Sequence, residues 1–133
     1  MNIFSNLDHG WCNFDLEEFH GRPSYIKYVP MNILDAWEEY QNTGHCIIEF
    51  DEEGSEFCIV IWNGYLDKVV ILSHKYGRTK YYPMKIDGKE LLKQLIADVI
   101  SNVELWAKWC AVTNDWSDIK KELENRIHAL GLD

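Results

Sequence analysis

The chain has 133 residues, with 13 Lys plus Arg against 22 Asp plus Glu and a formal charge of −9. At 47% hydrophobic and 26% charged it holds enough apolar side chain to fold, which excludes a disordered segment, and its length suits one domain rather than two. The acidic balance argues against a general nucleic-acid binder, because phosphate contacts need a cationic face.

Residues 1–24 show no clean period. Phe14, Leu16 and Phe19 are spaced to anchor one helical turn, with Asp15, Glu17 and Glu18 outward and Gly21 and Pro23 ending it. Tyr25 to Val29 is short and β-prone, and Pro23 and Pro30 suit it to a sheet edge. Ile33, Leu34, Trp37 and Tyr40 then fall at helical spacing, and Gly44 supplies a stop.

His45 to Phe50 and Glu56 to Trp62 read as strands joined by the polar turn Asp51 to Ser55. Asn63-Gly64 favours the positive φ angles of a type I′ turn. Tyr65 to Ser73 is therefore expected to return as a third strand, with Trp62 facing Tyr65, Val60 facing Asp67 and Cys58 facing Val69. His74 to Arg78 makes a further connection, and Thr79 to Ile86 a fourth strand, which Pro83 assigns to an edge. Both alternating sets of Glu56 to Trp62 are apolar, so this strand is expected to be central and at least partly covered on both faces.

Residues 88–111 carry a broad apolar stripe from Leu91 to Trp106 and read as one helix, with Leu105, Trp109 and Val112 as a second stripe. The last helix starts near Asn114 or Asp115, aligns Trp116, Ile119, Leu123, Ile127 and Leu130 on one face, and ends at Gly131. Asp115 and Asp118 at its start and Arg126 and His128 at its end suit the helix dipole. The expectation is a single α+β domain over residues 1–133, an antiparallel β-meander of about four to five strands packed against two to three helices.

No basic segment followed by an apolar stretch opens the chain, and no apolar run approaches the ~20 residues that span a bilayer. A cytoplasmic chain with no membrane partner is expected, its Cys12, Cys46, Cys58 and Cys110 being free thiols rather than a disulfide framework. His9, Cys12 and His20 form the local group that could offer metal ligands, or a thiol nucleophile beside a His. Their spacing matches no standard zinc layout, and no CxxC, Walker loop, GxGxxG, GxSxG or HExxH occurs. No metal, cofactor or catalytic residue is expected, and the alternatives are a small enzyme or metal-binding protein built on those three residues, or an adaptor subunit.

Lys75, Arg78, Lys80 and Lys85 interleave with Tyr76, Tyr81 and Tyr82 in a strip of nucleic-acid-binding composition. On an edge strand the same residues block unwanted strand pairing, and the net charge favours that reading. The strip also suits the acidic surface of a neighbouring copy. The charge itself is lopsided. Residues 1–70 hold 13 acids and 3 bases, a balance of −10, whereas residues 71–133 hold 9 acids and 10 bases, a balance of +1. The acids crowd at 15–18, 35–39 and 51–56, and such clustering costs stability unless it is solvated or met by a cationic partner.

Those acid groups, the small size and the aromatic pairs Tyr81-Tyr82 and Trp62 near Tyr65 carry a likeness of the whole chain. It resembles the bacterial immunity proteins of contact-dependent growth inhibition and related polymorphic toxin systems. The resemblance implies an inhibitor, not an enzyme, that binds a cognate basic toxin domain, often a nuclease, and covers its active site. Rim acids would speed the encounter and aromatic anchors would slow dissociation. The expected contact surface is Asp51, Glu52, Glu53 and Glu56 with Asp15, Glu17 and Glu18, and Trp11 as an anchor.

Overall fold

The computed structural model describes residues 2–64, 68–112 and 115–133. The chain begins with a small sheet, strands β1 (Phe4–Asp8), β2 (Trp11–Leu16) and β3 (Phe19–Gly21), and continues into helix α1 (Val29–Thr43). A four-stranded meander follows: β4 (His45–Asp51), β5 (Glu56–Trp62), β6 (Lys68–Lys75) and β7 (Arg78–Pro83). Helices α2 (Gly88–Ser101), α3 (Val103–Cys110) and α4 (Trp116–Ala129) complete it. Both sheets are antiparallel, ordered β1-β2-β3 and β4-β5-β6-β7, so the fold is α+β as expected.

The first sheet replaces the expected helical turn at 14–19. Cys12, Phe14 and Leu16 alternate inward along β2, a period of two, and Glu17 at φ 52° lets the chain double back so that Leu16 pairs with Phe19. The expected strand over Tyr25 to Val29 is absent: Ser24 makes a single bridge to Trp11, and α1 begins at Val29. Pro30 lies in the first turn of α1, where its missing N–H leaves no bond unmade. Gly44, at φ 80°, caps that helix as its position predicts.

In the meander, Trp62 pairs with Lys68, Val60 with Val70 and Cys58 with Leu72, a register three residues away from the expected one. The connection spans 63–67, of which Tyr65, Leu66 and Asp67 lie outside the described residues. An odd shift turns every side chain of a strand to the other face. The observed register buries Val69 and Ile71 beside Ile61 and Ile59, which the two-residue turn would have directed outward. A two-residue turn does occur one hairpin later, at Tyr76 (φ 53°) and Gly77 (φ 73°) between the paired Lys75 and Arg78. Strand β7 is an edge, as Pro83 predicts.

The expected single helix over 88–111 is two helices. Asn102, at φ −133°, breaks the run, and its amide donates back to the Asp98 carbonyl oxygen at 2.9 Å. The break lets Trp106 reach Phe4 edge-on at 5.0 Å, with its indole fully buried. Helix α4 starts after Asp115, whose carboxylate accepts the Ser117 N–H; Asn114 lies outside the described residues.

The core is one cluster that joins both sheets to the helices. At its centre Phe50 and Phe57 stack at 4.6 Å, and Phe14 and Phe19 from the first sheet lie 5.2 and 4.9 Å from Phe57. Such ring pairs contribute about 0.5–1.5 kcal/mol each beyond the area they bury. Among the described residues no helix is long and apolar enough to cross a membrane.

Candidate functional site

Pleating divides the meander into two faces. Cys46, Ile48 and Phe50 of β4, Phe57, Ile59 and Ile61 of β5, and Val69, Ile71 and Ser73 of β6 point into the core. The alternate residues form an open face, all half-buried or exposed. The expected cover on both sides of β5 is therefore only partial: Cys58 and Val60 are half-buried and Trp62 is exposed.

Register makes the open face specific. Ile47, Val60, Val70 and Pro83 stand in one row across the four strands, and Glu49, Cys58, Leu72 and Tyr81 in the next. At the usual strand spacing each row is about 14 Å long. Ile47 is 53% exposed, Trp62 39% and Tyr81 71%, so large apolar side chains meet solvent in one patch. Asp51 and Glu56 continue the face beyond the Glu49 row, beside His74 and Thr79. A depression of about 300 Å³ lies there, walled by Ile47, Cys58 and Leu72 and flanked by Glu49 and Glu56. Lys27 meets Glu49 at 3.3 Å, while the Glu56 carboxylate has no partner among the described residues.

The acids expected to meet a partner divide into two groups. Several are already engaged. Asp15 holds His20 at 2.6 Å, and Glu17 accepts the backbone N–H groups of Lys85 and Ile86 at 2.9 and 3.0 Å. Asp51 accepts the Glu53 N–H, and Glu52 accepts the Arg22 N–H at 2.8 Å and the Ser55 hydroxyl at 3.0 Å. These bonds tie the β2–β3 turn to the approach of α2, and the β4–β5 turn to the segment after β3. Glu18, Glu53 and Glu56 carry exposed carboxylates without such ties among the described residues. The two clusters lie at opposite ends of β3, since Glu18 precedes that strand and Arg22 follows it. Trp11 is half-buried under the Arg22 guanidinium, 5.3 Å from the ring centre, and its carbonyl accepts the Trp109 indole N–H.

His9, Cys12 and His20 are not brought together. Cys12 points into the core and is 2% exposed, whereas His9 sits on an exposed turn against Asp8 and His20 is held by Asp15. Burial, with Asp98 and Cys110 nearby, pushes the Cys12 thiol up to about 12, so it stays protonated at neutral pH. Burial does the same for Cys46 and Cys110, and Cys58 is also shifted upward. Among the described residues no group of three or more His, Cys, Asp or Glu side chains is arranged to hold a metal ion.

Of the apolar members of the open face, Tyr81 stands out in the sequence only as part of the cationic strip and an aromatic pair, and Ile47, Val70 and Leu72 do not stand out at all. Alternation in β4, where His45, Ile47, Glu49 and Asp51 share a side, marks its outer face as mixed polar and apolar. The β6 contribution could not be found while the register was wrong.

Comparison of the chain with protein-family models, with curated proteins and with solved structures finds no match.

Proposed function

We propose that the chain is a protein-binding inhibitor of the immunity-protein type, which neutralises a basic toxin domain in the bacterial cytoplasm. The observation that carries this reading is the open sheet face, with an apolar centre of Ile47, Val60, Leu72 and Tyr81 bordered by Glu49, Asp51 and Glu56. An apolar centre with a polar rim is the anatomy of a protein interface. Its carboxylates gather at the β4–β5 turn end, with Lys68 at the other end and Lys27 already against Glu49, and that acidic end favours a cationic group of a partner. The depression at Ile47, Cys58 and Leu72 suits the methylene stem of a partner Lys or Arg, whose head group would reach Glu56. Glu53, on the adjoining turn, adds an exposed charge that steers the encounter.

The test uses the product of the gene encoded beside this one, expressed in cells with the wild-type chain or with an Ile47→Asp/Tyr81→Asp variant. The wild type restores growth. The variant, whose unfolding midpoint is measured alongside, stays folded and does not. Growth restored equally by the variant removes the open face from the interface, and failure of the wild type to restore growth overturns the inhibitor reading.

A further inference from the structure

The same end of the sheet has a second, oppositely charged side. Lys75 and Arg78 are a cross-strand pair, and Ser73 and Lys80 are the next pair inward on the same face as Ile71 and Tyr82. That face is the inner one. The β6–β7 hairpin runs past the buried core there, and a cleft of about 600 Å³ opens between its inner side and β3. Phe19 and Tyr82 line it, meeting edge-on at 5.1 Å, and Tyr76 borders it at 98% exposure. Ser73 also lines it, 5% exposed, with no side-chain hydrogen bond among the described residues.

Charge is what needs explaining. Lys75, Arg78 and Lys80 line the cleft and form no ion pair among the described residues. Glu18 is the one carboxylate on the opposite wall, where His20 is held by Asp15. Like charges directly opposite each other across two strands are destabilising. Protection of a sheet edge accounts for the cations on β7; Lys75, at the end of β6 beyond its last pair with β5, adds a third charge directly opposite Arg78. The chain is strongly acidic, yet it sets three cations against the one carboxylate of Glu18 around a concave, partly aromatic surface.

We propose that this cleft binds a nucleotide. The three cations would hold its phosphates, the Ser73 hydroxyl would bond an oxygen at the floor, and the ring would lie against Tyr82 and Tyr76, with Phe19 buried behind Tyr82. The volume is within the roughly 300–1,000 Å³ of small-molecule sites. Lys and Arg supply charge-assisted bonds to phosphate, and aromatic faces accept any base by stacking. This site is separate from the open face and independent of the inhibitor reading, because pleating directs the two sets of side chains to opposite sides of the sheet.

Calorimetric titration of the full chain with ADP, pyrophosphate, adenosine and a poly-glutamate peptide tests the proposal. ADP is expected to bind at least tenfold more tightly than pyrophosphate or adenosine. A Lys75→Ala/Arg78→Ala/Lys80→Ala variant, unchanged in circular dichroism, should lose at least tenfold in ADP affinity, and Tyr82→Leu should lose affinity for ADP but not for pyrophosphate. Pyrophosphate binding as tightly as ADP would reduce the cleft to a nonspecific anion patch and overturn the proposal. So would ADP binding that survives the triple variant, no detectable ADP binding, or poly-glutamate binding more tightly than ADP, which would assign the cleft to an acidic protein.

Discussion

Asp98 shows how one side chain can fix a helix break while opposing stability at neutral pH. Its Oδ1 accepts the Trp106 indole N–H at 3.0 Å and the Asn102 side-chain amide at 3.3 Å. Trp106 is fully buried, so its N–H has no access to water. Burial raises the Asp98 carboxyl above its usual 3.8, and the two hydrogen bonds pull it part of the way back. Between the ordinary value and the raised one, the folded chain therefore keeps a proton that the unfolded chain has released. Stability attributable to Asp98 is fully present below the ordinary carboxylate value and is lost as the pH rises through the raised folded one. Asp98→Asn retains an oxygen for the indole and removes the titration, so the pH dependence of urea unfolding should flatten in the acid range. Asp98→Ala leaves the indole N–H unpaired and should lower stability by about 1–3 kcal/mol. An alanine variant with the wild-type midpoint would show that the indole has another acceptor.

Between elements, the critical joint is β3 against β5. A methyl group added at Gly21 would come within 2.6 Å of Phe57 Cε1 and 2.9 Å of its Cζ. Phe57 cannot retreat freely, because its ring is stacked on Phe50 at an interplanar angle of 13°. Gly21→Ala should therefore cost about 1–3 kcal/mol, the usual penalty of overpacking. A urea midpoint equal to wild type would mean that the first sheet shifts without loss. This joint was not legible in the sequence, because the spacing of Phe14, Leu16 and Phe19 fits a helical turn as well as a tight hairpin. What was legible is α1 with its Gly44 stop, β4 and β5, the edge position of β7, and α4 with Asp115 at its start. Each rests on local chemistry: a glycine at positive φ, β-branched and aromatic runs on either side of a polar turn, a proline, a capping carboxylate. The β5–β6 register depends on which nonlocal pairing buries more apolar surface, and a favourable Asn-Gly dipeptide loses to that. The candidate face followed the same rule: its acids were visible as clusters, whereas its apolar rows exist only once the register is known.

Across the whole molecule the charges are sorted by face as well as by sequence. The β4–β5 and β6–β7 turns lie at the same end of the meander. There Asp51 and Glu56 belong to the open face and Lys75, Arg78 and Lys80 to the inner one. Among the described residues, few acids of residues 1–70 meet a Lys or Arg. Lys27 meets Glu49, and Arg126 reaches from α4 to Asp35 at 3.1 Å and Glu38 at 2.9 Å. These pairs are surface contacts worth at most about 1 kcal/mol each. Salt acts unequally on the two kinds of interaction. The Debye length is about 10 Å at 0.1 M, so repulsion among dispersed acids is screened before ion pairs in direct contact. The urea midpoint at neutral pH should therefore rise between about 0.02 and 0.2 M NaCl. The rise should be smaller in Glu53→Gln/Glu56→Gln, which removes two carboxylates without a tie among the described residues. A midpoint that falls with salt would mean that the ion pairs outweigh the repulsion, and that the acidic half stores no strain for a cationic partner to relieve. A rise would mean that the free chain is held away from its most stable state by the charges it presents outward, a repulsion that the basic partner proposed above would relieve on binding.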